Sequence, residues 1–379
     1  MKVIKRPDKY CFIGNSVTFD IETKSPDIIS FTVSSALYCE ELAGYPYKMG
    51  DNYHISLQIQ DILSSFFEKK YTINDTDQLI SVVSDLTMVY TLKVNNEDIF
   101  EGIALKGGIS KAAIKLLARN NYNIFTYKIM NTFGQFLFTT RTFARIIPIK
   151  DTELSDFIFL HPGTSITFTN EKDYEIQAGT MALFTPCSLN LEAIYNRFTI
   201  LTDAVPTQIN VYVDTVKAFS FDIKPGTQSE YQNTIRFRNS FGVFEKIEIT
   251  GKPYQKPEFA EEKKYQALTE HGFFEEHRAR VEHVDVMEVE TGYKTRAEHS
   301  FIMDMIKSDE IYFVDKDGIE NRCLVSASNV KFEERLTTPS SVSLKIRMVD
   351  SEEFVASGLD LNELLEGRIF TDNYDEQFN

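Results

Sequence analysis

The sequence predicts a mainly β protein of more than one domain, and three observations lead there. The 379-residue chain holds 30 Phe and 18 Tyr, no Trp and only 17 Gly, a composition suited to pleated, half-buried surfaces. Short apolar-polar alternations recur every ten residues or so between Asp, Gly, Pro and Asn, the cue for two-sheet sandwiches of the immunoglobulin or fibronectin type. The hexapeptide Asn131-Thr132-Phe133-Gly134-Gln135-Phe136 returns as Asn239-Ser240-Phe241-Gly242-Val243-Phe244. The expectation is two related sandwiches in tandem, 1–147 and 148–251, then a smaller α+β domain, 252–350, and an acidic C-terminal arm, 351–379.

In the first domain, alternation from Ser16 to Asp20 and from Ile28 to Ser34 predicts two strands joined by Ser25-Pro26-Asp27. Tyr53, Ile55, Leu57 and Ile59 share one face of a third. Asp61 is the expected cap of a short helix carrying Ile62, Leu63, Phe66 and Phe67. Thr87 to Val94 and Ile99 to Leu105 flank the turn formers Asn95-Asn96-Glu97-Asp98, which predicts a hairpin. Gly107-Gly108-Ile109-Ser110-Lys111 then precedes the helix-like run 112–117. A phosphate-binding loop would place backbone N–H groups at such a helix start, but the pattern G-x-x-x-x-G-K-[ST] is absent, so a tight turn with Ser110 capping the helix is expected.

The repeated hexapeptide reads as a turn between paired strands: Gly134 and Gly242 supply a positive φ after Asn131 and Asn239, and the Phe residues return to the core. Strands of the second domain are expected at Ser165–Thr169, Met181–Thr185, Phe198–Thr202, Ile209–Val213 and Ala218–Ile223, closing at Thr250-Gly251-Lys252-Pro253. Beyond it, Glu261–Leu268 reads as a helix ended by Gly272, Val281–Val289 as a strand, and Thr295-Arg296-Ala297-Glu298 as a capping box before a helix of about a dozen residues with Phe301, Ile302, Met305 and Ile306. Strands at Glu310–Val314, Ile319–Ser326 and Ser341–Met348 complete the domain.

Lys plus Arg number 40 against 56 Asp plus Glu, a net charge of −16 that repels a phosphate backbone, so nucleic acid is not an expected partner. Cys11, Cys39, Cys187 and Cys323 are dispersed, which fits reduced packing thiols and neither a zinc ribbon nor a disulfide framework. Nowhere do 18 apolar residues run together, so no membrane insertion is expected, and nothing in the N-terminal residues resembles a signal peptide. His271, His277 and His283 recur every six residues, off-face on a helix and lacking any i, i+4 or H-x-H pair, so no metal site is assigned. Asp315-Lys316-Asp317-Gly318 lacks the further ligands of a calcium loop. Asp20 and Glu22 share a strand face, as glycosidase carboxylates could, yet no nucleophile or base signature accompanies them. No catalytic residue, cofactor or metal is therefore expected.

Residues 350–379 hold nine acids against Arg368 alone, half the net charge of the chain. Leu361, Leu364 and Leu365 stand at helical spacing after Asp360, and Phe370, Tyr374 and Phe378 recur every four residues. An acidic strip with spaced apolar anchors fits an interaction arm that docks in a groove of a neighbour.

Lys106-Gly107-Gly108-Ile109, the Asn-[Ser/Thr]-Phe-Gly turn, Glu245-Lys246-Ile247-Glu248-Ile249-Thr250-Gly251 after its second copy, and Thr291-Gly292-Tyr293 with a short helix before Ser308-Asp309-Glu310-Ile311-Tyr312 resemble structural tail proteins of Bacteroidetes phages and prophages over roughly residues 10–350. Members often place Trp before the Asn-Phe-Gly turn, where this chain has Arg238. The resemblance implies a non-enzymatic virion component, made in the bacterial cytoplasm, that assembles with itself and with other tail proteins at the tail or baseplate. A carbohydrate-binding or adhesion module of a Bacteroidetes cell is the alternative, and an uncharacterised hydrolase the third reading. The lack of a secretion signal and of Trp for stacking on sugar counts against the former.

Overall fold

A computed structural model describes residues 1–68, 71–73, 78–120, 138–140, 146–148, 156–224, 233–256, 258–259, 264–268, 272–278, 283–284, 286–294, 298–314, 318–327 and 341–349. The chain is mainly β, in several sheets. Among the described residues no helix is long and apolar enough to cross a membrane. The repeat positions Asn131 and Gly134 and the arm residues Leu361, Leu364, Leu365, Phe370, Tyr374 and Phe378 lie outside the described residues.

Two sheets face each other across one core in the first part of the chain. One has the order Lys2–Lys5, Thr18–Thr23, Asn52–Gln58, Tyr47–Met49; the other runs Tyr10–Phe12, Glu97–Leu105, Thr87–Val94, Ile29–Ser34, Cys39–Gly44. Phe19, Ile21 and Ile55 from the first meet Phe31, Val33, Tyr90 and Leu92 from the second, as period-two alternation requires. The expected hairpin forms with a two-residue turn, because Asn95 (φ 49°) and Asn96 (φ 67°) accept the left-handed conformation that a twisted ribbon needs. The helix Gln60–Ser65 starts two residues earlier than expected: Ile59 stands at its cap without a side-chain bond, and Asp61 sits in the first turn. Asp20 and Glu22 do share the outer face; Lys5 is cross-strand to Asp20, and Glu22 accepts a 2.6 Å hydrogen bond from Asn52.

The second pair of sheets differs from the expectation in three ways. Its four-stranded sheet has the order Asp156–Leu160, Pro186–Asn190, Ile80–Ser84, Thr72–Ile73, so two strands from before the boundary expected at 147 belong to it. Strand partners are chosen by which apolar faces meet in space, and Ile80 pairs with Leu189 and Val82 with Cys187. The five-stranded sheet is Ile146–Pro148, Val216–Lys224, Gln208–Val213, Ile166–Asn170, Glu175–Ala178. Second, Phe198–Thr202 is no strand but the end of the helix Leu191–Thr202. Asn190 caps it by accepting from Ala193 N–H at 2.9 Å, and Leu191, Ile194 and Phe198 are buried in the core between the sheets. The spacing i, i+3, i+7 is helical, and Ile200 is exposed on the far side. Met181–Thr185 is also not a strand; the strand is the next segment, Pro186–Asn190.

His161 follows Phe159 and Leu160 into this region and is fully buried. Its Nδ1 accepts from Gly163 N–H at 3.1 Å, and burial pushes its pKa below the ordinary 6.5. A depressed histidine means that the unfolded chain binds the proton more readily, so stability is lost as pH falls below about 6.5 towards the lowered folded value. His161→Asn keeps an acceptor for Gly163 and removes that proton; urea midpoints between pH 7.5 and 5 should therefore fall less steeply for the variant than for the parent chain.

The third sheet has seven strands in the order Phe244–Ile249, Asn233–Arg238, Ile311–Val314, Glu320–Ala327, Ser343–Met348, Val286–Glu290, Tyr254–Gln255, with the helix His299–Ile306 against it. The boundary expected at 251 therefore falls inside a sheet: Ile235 pairs with Phe313 and Phe237 with Ile311. Gly251-Lys252-Pro253 marks a turn within this unit and not its edge. The helix has eight residues, not a dozen, and its cap position, Glu298, makes no side-chain cap bond. Lys264–Leu268, expected helical, pairs with Phe274–Arg278 as a two-stranded ribbon, and Gly272 (φ 78°) lies in the connection. Burial favours the protonated thiols: it lifts the buried Cys187 and Cys323 to about 12, and the half-buried Cys11, beside Tyr90, to about 11.

Candidate functional site

The first and third units meet at a cleft of about 920 Å³, built on the two motifs that stood out in the sequence. On one side the strand Glu97–Leu105 runs into Lys106-Gly107-Gly108-Ile109. Gly107 takes a φ of 92°, its carbonyl accepts from Gly14 N–H at 2.8 Å, and Gly108 N–H donates to the Ser240 carbonyl at 2.6 Å. Asn15 brackets the next residue, accepting from Ile109 N–H at 2.9 Å and donating to its carbonyl at 2.7 Å.

On the other side Asn233–Arg238 turns back through Asn239-Ser240-Phe241-Gly242 into Phe244–Ile249. Asn239 is buried and saturated. Its Oδ1 accepts from Phe241 N–H at 2.9 Å and Val243 N–H at 3.2 Å, and its Nδ2 donates to the Phe138 carbonyl at 2.9 Å and to Glu245 Oε2 at 2.6 Å. Gly242 has the expected positive φ, 80°. The two glycine turns touch backbone to backbone: a Cβ on Gly107 would lie 2.3 Å from the Phe241 carbonyl carbon, and one on Gly242 3.2 Å from Gly107 N. Beneath them Phe12, Leu105, Phe138, Ile158, Leu160, Phe241 and Val243 form a core drawn from all three units.

The helix His299–Ile306 supplies the third wall. Asp304 Oδ2 accepts from Thr140 Oγ1 at 2.9 Å, Ser240 N–H at 3.2 Å and Ser240 Oγ at 3.4 Å. Burial raises the carboxyl above its usual range, opposed by those hydrogen bonds and by Lys307. Burial likewise lowers the Lys106 ammonium, helped by the nearby Arg238 guanidinium and opposed by Asp85 and Glu68. Lys106 Nζ donates to the Glu68 carbonyl, and Arg238 is ion-paired with Glu310.

Chemically, this arrangement clamps. The charged lining is balanced, Lys106, Arg238 and Lys307 against Glu68, Asp304 and Asp309, so it sets up no strong field of one sign. The N–H groups of Gly108 and Ile109, which a phosphate cradle would aim at a ligand, are donated to Ser240 and Asn15. Among the described residues no group of three or more His, Cys, Asp or Glu is placed to hold a metal ion. Of the sequence-predicted residues, Asn239 and Gly242 stand in this joint. Asp304, Arg238 and Asn15 were missed; no local pattern marks them, because their partners lie far away in sequence.

No protein-family model matches the chain, and no curated protein matches it.

Proposed function

We propose that the chain is a non-enzymatic structural component of a phage or prophage-derived tail or baseplate, assembling with copies of itself and with other tail proteins. The observation that carries the reading is the joint: the motifs behind the resemblance, Lys106-Gly107-Gly108-Ile109 and Asn239-Ser240-Phe241-Gly242, are spent on locking β units together. A load-transmitting subunit needs such a joint, and an active site does not. On this reading the double-sheet units are sandwiches of the immunoglobulin or fibronectin kind, and the acidic arm with Leu361, Leu364, Leu365, Phe370, Tyr374 and Phe378 holds a neighbour. Deleting residues 359–379 is expected to leave the melting temperature nearly unchanged while weakening assembly in sedimentation velocity. Antibody labelling of intact particles should mark one tail position. Virions that form and infect normally after the gene is deleted would remove the assignment.

A further inference from the structure

Between Glu101 and Asp151 the chain carries eight Lys and Arg and no Asp or Glu, within a protein of net charge −16. Part of this block is the helix Lys111–Arg119, KAAIKLLAR. Lys115 and Arg119, four residues apart, share one of its faces. Both are exposed, and so are Ile114 (40%) and Leu116 (61%); none of the helix's described side chains is buried. A helix of nine residues is marginal in water unless one face is packed. Aliphatic groups left in water beside cations, on a helix too short to stand alone, mark a surface that something covers.

Its complement is the acidic end of this same protein. The described chain ends at Val349, whose N–H is tied to the Arg322 carbonyl at 3.1 Å. The thirty residues from 350 onward hold nine acids against one Arg, with Leu361, Leu364 and Leu365 among them. Extended, they reach up to ~100 Å, enough to span to an adjacent subunit. We propose that the helix Lys111–Arg119 is the docking surface for residues 350–379 of a neighbouring copy, the leucines covering Leu116, which stands one turn from Arg119, while the carboxylates face Lys115 and Arg119. This rests on the assembly reading above. It specifies a head-to-tail contact, in which each copy gives an arm on one side and receives one on the other, and such contacts build rings or filaments.

A charge exchange in the full chain tests it. One variant reverses the helix, Lys115→Glu with Arg119→Glu; the other reverses the arm, Glu363→Lys with Glu366→Lys. By sedimentation velocity at low salt each alone should self-associate about tenfold more weakly than the parent chain or worse, with unchanged circular dichroism and melting. The neutral pair Lys115→Gln with Arg119→Gln should fall between and guards against misfolding of the reversed helix. Mixing the two reversed variants should restore association, because the acidic helix of one then meets the basic arm of the other. Association that ignores both reversals would overturn the docking site and leave the assembly reading standing. Weakening without rescue on mixing would place the arm on its own chain and overturn occupancy by a neighbour. A parent chain that stays monomeric at every concentration would overturn both.

Discussion

Gly107→Val is expected to cost about 4 kcal/mol of stability or to abolish folding, the sum of a left-handed φ that Val resists and an overpacked contact. The new Cβ would meet the Phe241 carbonyl carbon at 2.3 Å, its oxygen at 2.6 Å and Gly242 N at 2.7 Å. All three are backbone atoms that cannot swing aside as a side chain would. Gly50 provides the control, since its φ is 67° but nothing lies within 4 Å of the position its Cβ would take. Gly50→Val should cost only the conformational part, about 1–2 kcal/mol. Urea midpoints of the two variants measure the difference, and equal shifts would show that the backbone contact between the two glycine turns contributes nothing.

Asn239→Ala should cost about 3 kcal/mol, because it strips the partners from two buried N–H groups and the Phe138 carbonyl at once. Asn239→Asp separates donor from acceptor. The new carboxylate still accepts from Phe241 and Val243, but it sets an oxygen against Glu245 Oε2, where Nδ2 now donates at 2.6 Å. Two carboxylates at that separation raise one another's pKa in the folded state. The stability that the variant lacks at neutral pH should therefore return as pH falls through the raised value, the reverse of the acid loss expected for His161. A variant equally destabilised at pH 7 and pH 5 would show that Glu245 does not face Asn239 as a charged group.

The places where the sequence misled have one kind of cause. Lys264–Leu268 closes a charged stretch that fits a helix, yet it pairs with Phe274–Arg278 in a register that sets Leu268 opposite Phe274 and brings Lys264 within 3.2 Å of Glu276. Phe198–Thr202 fits the recurring spacing of the neighbouring strands, while its helical phase is set by Leu191 and Ile194 further upstream. In both segments a short window supports two periods, and only the partner surface chooses between them.

What the sequence determined by itself is whatever rests on local chemistry. The mainly β character, the Asn95-Asn96 hairpin turn and the positive φ of Gly242 each follow from the residues at the spot. Tertiary structure alone decided which segments share a sheet, placing Ile80–Ser84 beside Pro186–Asn190 and Asn233–Arg238 beside Ile311–Val314 across both expected boundaries. It also brought Gly107 against Phe241 and Asp304 against Thr140 and Ser240. The physical reason is that an edge strand or a buried carboxylate is satisfied by whatever group reaches it in space, and sequence separation does not enter the energy of that contact.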